Sequence, residues 1–89
     1  MINEKEIEKI TQEIKTLLKK KNKDYGDMNI IELGEEGIAY RIHDKTIRLL
    51  NIVKSKKKPE NETIEDTYFD LAGYAIIGLM LKRNKFVKK

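Results

Sequence analysis

Apolar residues recur every three or four positions through three segments of this 89-residue chain, and that spacing is typical of amphipathic α-helices. The segments span about residues 3–21, 36–54 and 61–83. In the first, the apolar stripe consists of Ile7, Ile10, Ile14 and Leu17. In the second, it consists of Ala39, Ile42, Leu49, Leu50, Ile52 and Val53. The pattern predicts an all-α fold, a small bundle of three main helices.

The ends of these segments carry residues that favour helix termini. Asn3 and Asn61 are predicted N-caps, because a short polar side chain at that position accepts a hydrogen bond from the first turn of the helix. Between the first two helices, residues 22–35 contain two glycines and several turn-forming polar residues. The sequence leaves the structure of this stretch undecided, since residues 28–33 suit a short helix or an extended segment.

The third segment differs from the others because its C-terminal half, LAGYAIIGLML, is apolar on nearly every side. A helix of that kind has to be covered on more than one side. Gly73 and Gly78 each disfavour a helix by roughly 1 kcal/mol relative to alanine, and close helix packing would offset that loss. We therefore predict a homo-oligomer formed through helix 61–83, with residues 1–81 as a single helical domain.

The composition excludes several classes of protein. A chain without cysteine has no disulfide scaffold, zinc knuckle or thiol chemistry. Its longest apolar run, residues 71–81, is about half of the roughly 20 residues that a membrane span needs, so no membrane partner is expected. The sequence also lacks the basic and then apolar pattern of a secretory signal, and a cytoplasmic location is the expectation.

The net charge of +4 is unevenly distributed. Residues 82–89 contain five of the 19 basic residues and no acidic residue, which leaves 14 basic and 15 acidic residues and a charge of −1 for the rest of the chain. We interpret residues 82–89 as a basic C-terminal tail that aids solubility. This distribution argues against nucleic acid as the main partner.

Helix three places four polar side chains at four-residue steps, namely Glu62, Asp66, Asp70 and Tyr74. Asp70 stands where the apolar stretch begins, so its carboxylate needs a cation. The candidates are Arg41, Lys45 and Arg48 of helix two, or a Mg²⁺ ion, which proteins bind through one or two carboxylates and substrate phosphates. The spacing fits a structural network of ion pairs as well as a functional site.

One stripe of helix two is polar and contains Arg41, Asp44, Lys45, Arg48 and Asn51. Two of the three arginines of the chain lie in it, against a background of 16 lysines. Because a planar guanidinium group grips phosphate or carboxylate at two points, the stripe favours binding of a defined anion. A solvated helix face is the alternative.

The segment KNKDYGD follows the first helix and contains Lys23, Asp24 and Tyr25. A tyrosine beside lysines can stack on a nucleobase while the ammonium groups contact phosphates. A lysine-rich helix end that enters a glycine turn gives the same pattern without any ligand.

Three motifs in order, KNKDYGD, RIHDKTIRLLNIV and NETIEDTYFDLAGYAIIGL, resemble the phage-associated nucleotide modification associated domain one family over about residues 20–80. That family occurs largely in bacteriophages and prophages, near nucleotide-modification genes, so the resemblance implies the host cytoplasm if the chain is phage-encoded. The chain also looks distantly similar to the all-α nucleoside triphosphate pyrophosphohydrolases of MazG type. Those enzymes bind magnesium through carboxylates on two facing helices and cleave between the α- and β-phosphates.

The resemblance assigns ligand- or phosphate-binding roles to Lys23, Tyr25, Arg41, Lys45, Arg48, Asn51 and Tyr74, with support from Asp24 and Asp44. In a hydrolase, the metal ligands would be Glu62, Asp66 and Asp70. The chain departs from the hydrolases on helix two, where their Glu-x-x-Glu motif is replaced by Arg41-x-x-Asp44. Since Mg²⁺ requires several oxygen ligands, this replacement favours direct binding of phosphates over cleavage.

Three functions follow as hypotheses. The first is a phage- or prophage-type protein that binds a phosphate-bearing nucleotide without enzymatic activity, by analogy an anti-defence sponge that sequesters a nucleotide immune signal. The second is a Mg²⁺-dependent (deoxy)nucleoside triphosphate pyrophosphohydrolase of MazG-like type, with Mg²⁺ as its cofactor. The third is a nucleic-acid-binding accessory protein that uses the lysine-rich linker and tail.

Overall fold

The computed structural model describes residues 1–55 and 63–87. Within them the chain forms three α-helices and no strand: α1 (Glu4–Tyr25), α2 (Met28–Ser55) and α3 (Ile64–Lys82). The prediction of an all-α fold with three main helices is therefore confirmed. None of these helices, as far as the described residues extend, combines the length and the apolar composition needed to cross a bilayer.

Helix α1 begins where the sequence predicts and ends one turn later than expected. The side chain of Asn3 accepts a hydrogen bond of 3.0 Å from the backbone N–H of Glu6, as an N-cap does. The predicted end near residue 21 is wrong, because lysine is a good helix former and the helix continues to Tyr25. It ends at Gly26, where φ is +78° and the N–H donates to the carbonyl of Asn22 at 2.7 Å.

Helix α2 begins at Met28 instead of residue 36, so the undecided stretch 28–33 is helical. Gly34 interrupts it with φ 62° and ψ −173°, a backbone conformation open essentially only to glycine. No atom lies within 4 Å of the position that a Cβ of Gly34 would occupy. Glycine is therefore required at this break by the local backbone conformation and not by contact with a neighbouring residue.

Helix α3 begins at Ile64 and not at residue 61, because Thr63 takes the N-cap position predicted for Asn61. The Thr63 hydroxyl accepts from the N–H of Asp66 at 3.0 Å, and the Asp66 carboxylate accepts from the N–H of Thr63 at 3.2 Å. This reciprocal pair is a capping box, which satisfies two backbone donors at once.

Helices α2 and α3 form an antiparallel hairpin, since Ile38 lies beside Gly78 while Lys45 pairs with Asp70 further back along α3. Helix α1 packs on α3 over a shorter stretch, with Leu18 against Gly73. The most buried large apolar side chains of the described residues are those of Ile14, Ile38 and Ile77.

The inward stripe of α2 is rotated from the predicted one. It contains Ile38, Ile42, Lys45, Leu49 and Ile52. Three members of the expected stripe, Ala39, Leu50 and Val53, are exposed instead. The prediction missed this rotation because it excluded a lysine from an apolar stripe.

Candidate functional site

A cavity of about 560 Å³ lies between α1 and the α2–α3 hairpin. Its walls come from the C-terminal half of α1, the segment around the α1–α2 junction, two basic residues of α2 and one face of α3. The volume is in the range of small-molecule pockets, which is about 300–1,000 Å³.

Four cationic side chains line the cavity. Lys19 and Lys21 come from the last two turns of α1, and Arg41 and Lys45 come from α2, one turn apart on the helix. Two carboxylates, Asp27 and Asp70, also line it, which leaves an excess of two positive charges. The electrostatics of the cavity therefore favour an anionic guest.

Asp70 links the three helices through two ion pairs. Its Oδ2 accepts from Nζ of Lys45 on α2 at 2.8 Å, and its Oδ1 accepts from Nζ of Lys21 on α1 at 3.0 Å. The side chains of Asp70 and Lys45 are 17% and 19% exposed, whereas that of Lys21 is 49% exposed. The Lys45 pair is thus sheltered, and the Lys21 pair lies at the rim.

The environment keeps Asp70 ionised. Burial raises the pKa of its carboxyl group, but the hydrogen bonds from Lys45 and Lys21, together with the charge of both ammonium groups, outweigh burial and bring the pKa below its ordinary value. At neutral pH the carboxylate is therefore charged and acts as an internal counterion for two of the cations that line the cavity.

Four aromatic side chains also border the cavity: Tyr25, Phe69, Tyr74 and Phe86. Phe86 is brought there by a turn after α3, in which the N–H of Lys85 donates to the carbonyl of Met80 at 2.8 Å and Asn84 has φ 55°. Asparagine tolerates this left-handed conformation better than most residues. The turn folds the chain back and sets an aromatic ring against the wall.

The junction between α1 and α2 adds amide and carboxylate groups to the wall. Asn22, Asp27 and Asn29 line the cavity, and the Asn22 side-chain amide donates to the Asp27 carboxylate at 2.7 Å. Groups of this kind hold both hydrogen-bond donors and acceptors, so this part of the wall can contact polar edges of a guest.

The structure brings together five of the predicted site residues, which are Tyr25, Arg41, Lys45, Asp70 and Tyr74. The cavity lining does not include Lys23, Asp24, Asp44, Arg48 and Asn51, which are all exposed. Asp66 serves in the capping box of α3. Glu62 lies outside the described residues.

The site residues assigned from the sequence did not include Lys19, Asn29, Phe69 and Phe86. They also left out Lys21, Asn22 and Asp27, although these three stand in the KNKDYGD segment. The lysines belong to an unbroken run whose members look alike in the sequence, and only the packing of α1 on α3 distinguishes them. A signal existed for Asp27 and Asn29, since polar residues beside a glycine turn are frequent in binding loops. No pattern in the sequence predicts that Phe86, within the basic tail, lies against the cavity.

The metal ligands expected for a hydrolase do not converge among the residues that the structure describes. In residues 1–55 and 63–87, no three or more His, Asp or Glu side chains form a group that could hold a metal ion. Both oxygens of Asp70 contact ammonium groups, which compete with a cation for the same carboxylate. The described donors therefore fit a phosphate-bearing guest better than a resident Mg²⁺ ion.

Comparison with known proteins identifies the family of the chain. No curated protein and no solved structure matches it. Residues 21–81 match the family described as Nucleotide modification associated domain 1. This segment contains all three residues of the Lys21–Asp70–Lys45 network and most of the cavity wall, while Lys19 and Phe86 lie outside it. Since the match covers more than half of the sequence, the chain belongs to the Nucleotide modification associated domain 1 family.

Proposed function

We propose that this protein binds a phosphate-bearing nucleotide in the cavity between α1 and the α2–α3 hairpin. The observation that carries the proposal is the combination of four cationic and four aromatic side chains around one cavity of about 560 Å³. Phosphate and nucleobase are the two chemical groups that such a combination suits, the first through charge-assisted hydrogen bonds and the second through stacking.

The phosphate end of the ligand is assigned to the cations. Lys21 and Lys45 are held 3.0 and 2.8 Å from Asp70, so their ammonium groups are already ordered before a ligand binds. Arg41 lies one helical turn from Lys45 and adds a planar donor to the same wall. Preordered donors lose less side-chain entropy on binding than mobile ones, which supports this wall as the phosphate contact.

The base is assigned to the aromatic side chains. Tyr25 is 73% exposed, so its ring is accessible to stack on a planar group, and Tyr74 and Phe86 are half-buried in the wall. The amides of Asn22 and Asn29 supply hydrogen-bonding groups at the α1–α2 junction. Binding without cleavage, and sequestration of a nucleotide signal in a phage-infected host, form the biological part of this proposal and rest on analogy.

A Mg²⁺-dependent pyrophosphohydrolase is the second candidate, because Asp70 places an ionised carboxylate inside the cavity. Metal binding there requires that Asp70 leave Lys21 or Lys45, with Asp66 and Glu62 as the further ligands expected from the sequence. The described residues favour nucleotide binding, since the ammonium groups already occupy both oxygens of Asp70.

The test is calorimetric titration of the purified protein with nucleoside mono-, di- and triphosphates, with and without Mg²⁺, followed by chromatography of the nucleotide. We expect binding that Lys19→Gln or Arg41→Gln weakens by about tenfold, the loss of one charged contact. Lys20→Gln is the matched control, because Lys20 is the exposed neighbour of Lys19 and does not line the cavity.

The recovered nucleotide distinguishes the two functions. An unchanged nucleotide supports binding alone. Release of a monophosphate and pyrophosphate that requires Mg²⁺ and stops with EDTA supports the hydrolase instead. If no nucleotide binds, or if Lys20→Gln weakens binding as much as Lys19→Gln, the assignment of this cavity is wrong.

A further inference from the structure

The α2–α3 hairpin has an apolar side that no other part of the described chain covers. On α3, Ile64, Tyr68 and Leu79 are 39%, 56% and 54% exposed, and on α2, Leu50 and Val53 are 46% and 51% exposed. We call this surface the uncovered face; between these large side chains it contains the smaller exposed residues Ala39, Thr46 and Ala75.

The positions around α3 explain why this face is open. α3 meets α2 at Gly78, where a Cβ would lie 3.6 Å from Ile38, and meets α1 at Gly73, where a Cβ would lie 3.3 Å from Leu18. At about 100° per residue, these two contacts are about 140° apart around the helix. Tyr68 and Leu79 lie about 80–100° from the Gly78 contact, on the side of α3 that faces away from the Gly73 contact.

The same geometry places Leu50 and Val53 of α2 on the same side of the hairpin as Tyr68 and Leu79 of α3. Arg41 and Gly73 both line the cavity, so these flanks of α2 and α3 point to the same side of the hairpin. Val53 and Leu50 are on the opposite flank of α2, about 60–120° beyond the buried Ile38 direction. The cavity and the uncovered face are therefore on opposite sides of one two-helix layer.

We propose that a second copy of this chain covers the uncovered face, so that two α2–α3 hairpins pack as the four-helix core of a two-fold dimer. The apolar third helix already predicted self-association; the structure adds α2 to the contact surface and places the cavity on the other side. Hairpins that meet this way give a closed, self-complementary contact, the commonest symmetry of homo-oligomers. This inference does not depend on what the cavity binds.

The area of the face suits a dimer. An aromatic side chain presents roughly 150–250 Å² and an aliphatic one less, so the exposed fractions of the five large residues correspond to at most roughly 500 Å² of mainly apolar surface. The small exposed residues between them enlarge the face, toward the roughly 800 Å² that each partner contributes to a standard interface. The face is therefore in the upper part of the range of about 300–600 Å² found for the largest apolar patch of a monomer, and such patches are often interaction sites.

Charge also favours a second copy as the partner. Each chain carries a net charge of +4, so the repulsion between two copies is least where they meet through uncharged residues. The eight residues that define the uncovered face carry no charge, and the exposed Lys82 lies beside them at the end of α3, in the same direction as Ile64. The basic groups of α1 and α2 that line the cavity are on the other side. A strongly acidic partner would find only Lys82, at one end of this side of α3.

The small core of the chain gives a further reason. Among the described residues, the only fully or nearly fully buried large apolar side chains are Ile14, Ile38 and Ile77. A domain of this size has little hydrophobic burial to offset its conformational entropy, so it gains from a partner that is always present. A second copy is always expressed together with the first, and the dimer population rises with protomer concentration.

Sedimentation equilibrium and native mass spectrometry of the full chain test this proposal over a wide range of concentrations. We expect a mass of twice 10.5 kDa, and we expect Leu79→Glu to raise the dimer dissociation constant at least a hundredfold. The control is Ile7→Glu, since Ile7 is also an exposed apolar residue, at 43%, but lies on α1. It should leave the dimer intact.

Cross-linking covers the case in which Leu79→Glu fails to fold. The chain has no cysteine, so the single replacements Leu50→Cys, Leu79→Cys and Ile7→Cys each add one reactive thiol. A short bifunctional maleimide should join two chains at position 50 or 79 and not at position 7. A mass of one chain at every concentration, or cross-linking at position 7 alone, would overturn the proposal.

Discussion

Asp70 is a single carboxylate that connects all three helices, because it pairs with Lys21 of α1 and Lys45 of α2 from its own place on α3. A carboxylate with a lowered pKa in the folded protein stabilises that state above the pKa of the unfolded chain, about 3.9, and loses this contribution as the pH falls through the folded-state pKa. Protonation of Asp70 at low pH should therefore weaken its ion pairs with Lys21 and Lys45, which connect the three helices.

We predict that Asp70→Asn lowers the free energy of unfolding by about 1–2 kcal/mol at pH 7, the usual range for a hydrogen-bonded charge that loses its partner. The difference from the wild type should shrink below pH 4, where the wild-type carboxylate takes up its proton. Urea unfolding at several pH values, followed by circular dichroism, measures both effects.

The matched control is Asp24→Asn, an exposed carboxylate near the end of α1 that does not line the cavity. It should change stability by less than about 0.5 kcal/mol at either pH. A difference between Asp70→Asn and the wild type that stays constant from pH 7 to pH 3 would contradict an ion-pair role for Asp70.

The sequence predicted part of this connection. A carboxylate at the start of an apolar stretch requires a cation, and Lys45 was among the candidates. Lys21 was not predicted, because its partner depends on the point at which α1 crosses α3, and the helical period of α1 contains no information about that crossing. The sequence also left open whether the ion pairs were structural or functional, since both use the same residue types.

At the scale of the helices, the capping box of α3 decides where the third helix starts. Thr63 and Asp66 exchange two hydrogen bonds at 3.0 and 3.2 Å. Threonine and asparagine are both good N-caps, so the choice between Thr63 and Asn61 depends on the acidic residue three positions later. The sequence contains that pattern, T-x-x-D, and a search for the pair instead of a single cap residue would have found it.

We predict that Thr63→Ala lowers the free energy of unfolding by about 1 kcal/mol, because the N–H of Asp66 loses its acceptor. Thr16→Ala is the control: the exposed Thr16 hydroxyl donates to the Gln12 carbonyl inside α1, and alanine is the better helix former there. The free energies of unfolding of the two variants, measured by thermal and urea unfolding, should differ by about 1 kcal/mol. Equal stabilities would show that the box does not anchor α3.

The break at Gly34 marks the limit of helix prediction from periodicity. Residues 28–33 and those after Gly34 both follow helical spacing, and no rule of spacing tells whether a glycine between them ends a helix or bends one. The backbone values φ 62° and ψ −173° decide it, and they change the direction of the chain so that Asn29 joins the cavity wall.

At the scale of the whole molecule, the cavity depends on segments far apart in the chain. Its lining runs from Ile14 in α1 to Phe86 after α3. The all-α fold was predictable because each helix has its own pattern, whereas the cavity arises from how the helices are arranged. That is why five predicted residues line it and why Phe86, in the segment interpreted as a solubilising tail, was not expected there.

Helix α1 packs on the rest of the protein over a short stretch only, and this determines which part of the fold opens first. Every residue before Ile14 is exposed, and α1 packs on α3 over a short stretch, so this helix should undock before the hairpin unfolds. Because α1 also supplies Lys19, Lys21 and Tyr25, a bound nucleotide would clamp it. Deuterium uptake along residues 14–25 should slow when the nucleotide is added, while uptake in α3 changes less. Exchange in α1 would then show whether the cavity holds a ligand.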